Sequence, residues 1–200
     1  MRFCDNDNLP VVVDLCCGDC GFTDAALECG ARVLAVDLRR FPRMLELRES
    51  PYVRFFVEDV RQVSGYRFRW LNPILCFAGP PCDEFARFKM PWTRKRNPPP
   101  PDLSIVNACF RIAREADCPI VLENTQTAQK WLGPAVGHFG PHYLWGDVPA
   151  MLPDKSWNDK RHKESFSSAH AHKRALLPRE LGRFLVESFK RRNECSLFSK

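Results

Sequence analysis

Nowhere in its 200 residues does the sequence approach the roughly 20 consecutive apolar positions that a membrane-spanning helix requires. Residues 1–10 carry Asp5 and Asp7 and no apolar run of signal-peptide length, so a cytoplasmic protein with no membrane partner is expected. Cysteine is plentiful, with ten residues, yet the short, loop-rich secreted setting of a disulfide framework is missing. Several cysteines lie inside apolar runs, as in Ile74-Leu75-Cys76-Phe77, and read as reduced, buried thiols. Cys17 and Cys20 have the spacing of a zinc knuckle, but no second Cys-x-x-Cys follows. A closed structural site needs four ligands, so no metal is expected. His162, His170 and His172 lack metal-binding spacing and read as surface residues. There is no internal repeat.

What is present suits a globular protein. Hydrophobic residues make up 44% and charged residues 27% of the chain. The length fits one α/β domain over residues 1–200, expected to be monomeric, with 154–173 as a polar surface segment free to move. A net charge of +6 tilts the reading toward a polyanionic partner.

Short apolar runs alternate with helical or loop stretches. Val11 to Leu15, Arg32 to Val36, Val53 to Val57, Ile74 to Ala78 and Pro119 to Leu122 read as strands, the first buried on both faces. Phe22 to Cys29, stopped by Gly30, reads as a helix, as do Leu103 to Asp117 and Pro178 to Arg192. Phe139 to Pro149 suggests turns around short strands. This alternation implies βαβ units, a mainly parallel sheet and flanking helices. All strand C-termini then share one edge, and Asp14, Asp37, Asp59, Cys82 and Glu123 cluster there. In open α/β sheets that edge binds ligands.

Asp14-Leu-Cys-Cys-Gly18-Asp-Cys-Gly21-Phe22 joins the first strand to the first helix. Its glycines allow a sharp turn and close approach to a ligand. Asp37 ends the next strand, where an acid can take both hydroxyls of a ribose. A dinucleotide loop would carry a third glycine, and Asp19 would repel a pyrophosphate. Positively charged sulfonium and amino groups suit these acids better, so the set favours S-adenosylmethionine over NAD. Asp59 is expected to accept from the adenine amino group, and the Val60 backbone to meet the ring edge.

Gly79-Pro80-Pro81-Cys82 is the sharpest signal. Two prolines fix the backbone just before a cysteine at a strand end. Amino-group methylation needs no nucleophile, whereas C5 of a pyrimidine reacts only after a thiolate adds at C6. Protonation or hydrogen bonding at N3 stabilises that adduct, and Glu123-Asn124 supplies a carboxyl group for it. A reactive thiol of this kind is expected to have a lowered pKa and partial exposure.

In these three stretches the sequence resembles the cytosine-C5 methyltransferase family. Asp14 to Phe22 is similar to the family's Asp-Leu-Phe-x-Gly-x-Gly-Gly-Phe. Gly79 to Ala86 is similar to Gly-Pro-Pro-Cys-Gln-x-Phe-Ser, and Glu123-Asn124-Thr125 to Glu-Asn-Val. The motifs follow the family's order and span residues 11–125. The resemblance implies a Rossmann-like S-adenosylmethionine-dependent methyltransferase fold, with Cys82 as nucleophile and Glu123 as N3 partner. Pro81 and Asn124 join them on the catalytic side. Asp14, Gly18, Gly21, Phe22, Asp37, Leu38, Asp59, Val60 and Pro80 would line the cofactor. The substrate implied is a flipped cytosine, in DNA first. Cys16 and Cys20 depart from the family's phenylalanine and glycine, and no Gln-x-Arg-x-Arg motif or target-recognition segment follows residue 125. This compact layout is that of phage-like members.

Arg87, Lys89, Arg94, Lys95 and Arg96 follow Cys82 with no acid among residues 87–96, and Phe88 and Trp92 lie between them. Such a loop suits phosphates and an extruded base. Two alternatives stay open: the same chemistry on RNA or a free pyrimidine nucleotide, and a non-catalytic fold of this type that binds nucleic acid or protein.

Overall fold

The computed structural model describes residues 8–89, 98–150 and 177–197. Seven strands form one sheet: β1 (Val11–Leu15), β2 (Arg32–Asp37), β3 (Val53–Val57), β4 (Leu75–Ala78), β5 (Ile120–Asn124), β6 (Gly137–Phe139) and β7 (His142–Gly146). Their order is β3-β2-β1-β4-β5-β7-β6. The pairs from β3 across to β5 are parallel, and β7 is antiparallel to both neighbours, β5 and β6. The helices are α1 (Gly21–Glu28), α2 (Pro42–Leu47), α3 (Tyr66–Arg69), α4 (Asp83–Ala86), α5 (Ser104–Ala116), α6 (Gln129–Leu132) and α7 (Arg179–Leu197).

The central strands are apolar because both faces are covered. Every residue of β1 and β4 is buried. On one face, Val11, Val13, Leu15, Cys76 and Leu122 pack with Phe68 of α3, Phe85 of α4 and Val106, Cys109 and Ile112 of α5. On the other, Val12, Val33, Ala35, Leu75 and Val121 pack with Phe22 and Ala26 of α1, Met44 of α2 and Leu181, Leu185 and Phe189 of α7. Period-2 alternation along each strand thus feeds two apolar layers. The result is a three-layer, Rossmann-like α/β fold.

α1 and α7 approach closely at Gly182, where a Cβ would lie 2.6 Å from the Cβ of Ala25. α5 carries its apolar stripe toward the sheet and ends at Asp117, which adopts the left-handed conformation as the chain turns into β5. Arg94, Lys95 and Arg96, and the 154–173 segment, lie outside the described residues. Among the described residues no helix is long and apolar enough to cross a membrane.

Candidate active site

Strand order reverses between β1 and β4, since β2 and β3 build outward on one side and β5 on the other. At such a switch point the loops leave the sheet in opposite directions and open a crevice beyond the strand C-termini. The loop after β1 and the Gly-Pro-Pro turn after β4 are neighbours there. The Gly79 amide donates to the Leu15 carbonyl at 3.1 Å.

On the β1–β2 side, Cys16, Gly18 and Cys20 all have positive φ, of 58°, 50° and 64°. For the two cysteines this left-handed backbone is strained by about 1–2 kcal/mol each, which identifies Cys20 as a position where glycine would fit without cost to the backbone. Cys20 precedes α1 with no side-chain cap. The loop is anchored on β2. The Cys17 amide donates to the Val36 carbonyl, and the Gly18 amide donates to Asp37 Oδ2 at 2.9 Å. Asp37 Oδ1 accepts the Arg39 amide at 3.0 Å. The carboxylate is thereby aimed along the rim while remaining partly exposed. A Cβ on Gly18 would meet nothing within 4 Å, so the loop presents open space there. Leu38, 60% exposed, follows Asp37 on the rim, and Val60 is buried in the core.

Three residues expected at the cofactor have other partners. Asp14 is 1% exposed, and its Oδ2 accepts the Thr23 hydroxyl at 2.6 Å, so it ties β1 to α1 beneath the loop. Burial raises its pKa to about 7, with the charge of Asp37 adding to the shift and the Thr23 bond opposing it. Phe22 is a core residue, stacked on Phe77 with ring centroids 4.3 Å apart. Asp59 is held by Arg61, whose guanidinium donates to both carboxylate oxygens at 2.6–3.1 Å. That pair holds the Asp59 carboxyl below its ordinary range. An adenine amino group would meet an already paired carboxylate. Gly21 is the first residue of α1.

On the β4–β5 side, Cys82 precedes α4 in helical conformation and is half-buried. The turn before it is fixed from β5: buried Asn124 donates its Nδ2 to the Pro80 carbonyl at 3.0 Å and accepts the Thr125 amide on Oδ1 at 2.8 Å. Pro80 is buried and Pro81 exposed. The expected lowering of the Cys82 pKa is not found. Burial raises it, and the charges of Asp83 and Glu123 raise it further. A lowered value would need a cation near the sulfur, and both named charges are acidic. Cys16 and Cys17 are also held protonated, chiefly by thiol contacts with Cys109 and Cys20.

Glu123, the penultimate residue of β5, stands at the same edge. Its Oε1 lies 2.9 Å from Nδ1 of His142, which begins β7. His142 was not singled out in the sequence, because its nearness to Glu123 depends on an antiparallel pairing that no local pattern announces. Arg87 is less free than a loop cation. Its Nη2 contacts Glu84 at 3.0 Å and the Pro99 and Pro100 carbonyls at 3.1 and 3.3 Å, bracing the base of the loop. Lys89 closes the 3-10 turn Arg87–Lys89. Phe88 packs on Trp131, 5.4 Å between centroids, with Lys130 over both rings. Among the described residues no group of three His, Cys, Asp or Glu side chains could hold a metal ion.

No protein-family model and no curated protein matches the sequence. Solved structures do align with it. A structure described as a DNA modification methyltransferase encoded within an E. coli prophage matches at 18% identity and TM-score 0.45, over 62% of this chain and 34% of that one. Spodoptera frugiperda DNMT2 matches at 18% and 0.41, over 60% and 37%. Burkholderia thailandensis 1,6-didemethyltoxoflavin-N1-methyltransferase, solved with S-adenosylhomocysteine, matches at 22% and 0.40, over 68% and 54%. The chain thus spans little more than a third of the first two proteins. The class that strand order and sheet edge define is a Rossmann-like α/β fold with a crevice at its β1/β4 switch point.

Proposed function

We propose that this chain is an S-adenosylmethionine-dependent methyltransferase that methylates C5 of cytosine in DNA through a covalent adduct at Cys82. The supporting observation is that Cys82 and Glu123 share the sheet edge beside the Gly18–Asp37 rim, with the Cys82 turn locked by the Asn124–Pro80 bond.

The rim residues fit the cofactor. Gly18 leaves room for a ligand, and the Asp37 carboxylate, oriented by two amides, suits a ribose edge. The cofactor supplies the methyl group as a sulfonium substituent. Cys82 gives up its proton and its sulfur bonds to C6, which places the electron pair of the former C5–C6 double bond at C5 for transfer of the methyl group. Glu123 would take up the thiol proton and pass it to N3, so the proton that the thiol loses is the one N3 gains. After methylation the C5 proton leaves to solvent, the C5–C6 double bond re-forms, the S–C6 bond breaks and Cys82 recovers its proton from N3. The raised thiol pKa fits this order. In the free protein the Glu123 charge suppresses the thiolate, and sharing that charge with N3 lifts the suppression when the base arrives.

The test is transfer of labelled methyl from S-adenosylmethionine to duplex DNA, single-stranded DNA, RNA and dCMP. Label at cytosine C5 in DNA is expected. Label at C5 in RNA or dCMP alone would keep the chemistry and change the substrate. Label on an exocyclic nitrogen would overturn the reading.

A further inference from the structure

We infer that His142 is a positioning residue for Glu123, a role that rests on the proposed methyl transfer and assigns which carboxyl oxygen faces the pyrimidine. The contact follows from topology. β7 runs antiparallel to β5, so the start of β7 lies at the edge where β5 ends. Glu123 pairs in register with Leu144, and His142, two residues earlier, shares that face at a diagonal position. The Gly140-Pro141 turn links Phe139 to its partner His142 and fixes where the ring begins. The His142 side chain is 10% exposed, and its Nδ1 lies 2.9 Å from Glu123 Oε1.

A carboxylate oxygen accepts, so Nδ1 carries the hydrogen. With Oε1 held by that bond, Oε2 is the oxygen left for N3. Other titratable groups around the pair are accounted for. Glu123 acts electrostatically on Cys82, the residue before α4, and Asp83, the first residue of α4, acts on Cys82 in turn. Tyr143 lies on the opposite face of β7 in register with Asn124, stacked on His138, which itself contacts the Gly140 carbonyl. Among the described residues no lysine or arginine forms an ion pair with Glu123, so the imidazole does the orienting that a guanidinium would otherwise do.

Two measurements on the full chain test this. Nitrogen-15 histidine spectra of the free protein at mildly alkaline pH should show His142 as the Nδ1–H tautomer; the Nε2–H tautomer would overturn the inference whatever the activity. Covalent trapping on 5-fluorocytosine DNA supplies the second. His142→Leu should slow trapping about 10- to 100-fold, the usual cost of losing an orienting partner, with cofactor affinity unchanged. His142→Asn places an amide N–H near Nδ1 and should recover most of the rate that His142→Leu loses. Wild-type trapping matched by both variants removes the inference alone. No trapping by the wild type removes the proposed chemistry and this inference with it.

Discussion

Cys82 combines a rigid approach with a suppressed thiolate. Because burial, Asp83 and Glu123 all raise its pKa, its reaction with iodoacetamide in the free protein should be slow at neutral pH and accelerate as pH rises. Glu123→Gln removes one of those charges. Alkylation of Cys82 at fixed pH should then quicken, because one of the charges that raise the thiol pKa is gone, while methyl transfer slows. Unchanged alkylation would mean that the carboxylate does not act on the sulfur. Asp14 makes a separate prediction. Its folded pKa, about 7, lies above its ordinary value of 3.8, so the native state binds the extra proton between those values. Stability contributed by this site therefore falls as pH rises from about 4 to 7 and is flat beyond. Asp14→Asn keeps an acceptor for Thr23 and cannot ionise. Its stability relative to wild type, by urea unfolding, should be greater at pH 8 than at pH 4, by a few kcal/mol at most. A gap independent of pH would contradict the assignment.

At the scale of elements, one hydrogen bond holds the site and one close approach joins two of the covering helices. Asn124→Ala leaves the buried Pro80 carbonyl without its donor, which costs about 1–3 kcal/mol, and releases the turn before Cys82. Methyl transfer should fall further than cofactor binding, measured by calorimetry. Gly182→Ala drives a methyl into Ala25 across the α1–α7 contact and should cost about 1–3 kcal/mol in urea unfolding; a stability equal to wild type would mean that the helices can part there at little cost. Much of this architecture is legible in the sequence. β1 and β3 have the expected bounds, and β2, β4 and α1 shift by a residue at one or both ends, because continuous apolar runs closed by Asp, Glu or Gly mark two-sided burial. β5 runs two residues further than its apolar run, since Glu123 and Asn124 stay in the ladder against β7. The β6–β7 hairpin is legible as turns around short strands, and its insertion beside β5 not at all. That placement brings His142 to Glu123, so the residue missed at the site follows from the strand order missed in the sheet. The commitments of Asp59 and Arg87 escape the sequence for a related reason. Motif position says which edge a residue reaches, while its partner, Arg61 two residues on or the Pro99 carbonyl twelve on, depends on local backbone shape.

For the whole molecule, the net charge of +6 and the cationic run after Cys82 bear on substrate. Replacing Arg94, Lys95 and Arg96 together by Ala should weaken DNA binding and reduce the slope of log affinity against log salt by up to about 3, close to one per lost phosphate contact. Cofactor affinity should not change. An unaltered slope would mean that these cations do not meet the backbone. Asp37→Ala, on the Gly18 rim, should do the reverse: weaker S-adenosylmethionine binding by calorimetry, with the salt slope intact. Loss of both together would point to unfolding rather than to two separable binding functions. The most direct test of the whole reading is the covalent bond itself. Wild-type protein, S-adenosylmethionine and DNA containing 5-fluorocytosine should give a complex that survives denaturing electrophoresis and accumulates only with cofactor, because fluorine at C5 cannot leave as a proton does. Cys82→Ser should abolish it and Cys76→Ser should not. Methylation of cytosine C5 at the same rate by the Cys82→Ser protein would contradict the assignment of the nucleophile and, with it, the proposed mechanism.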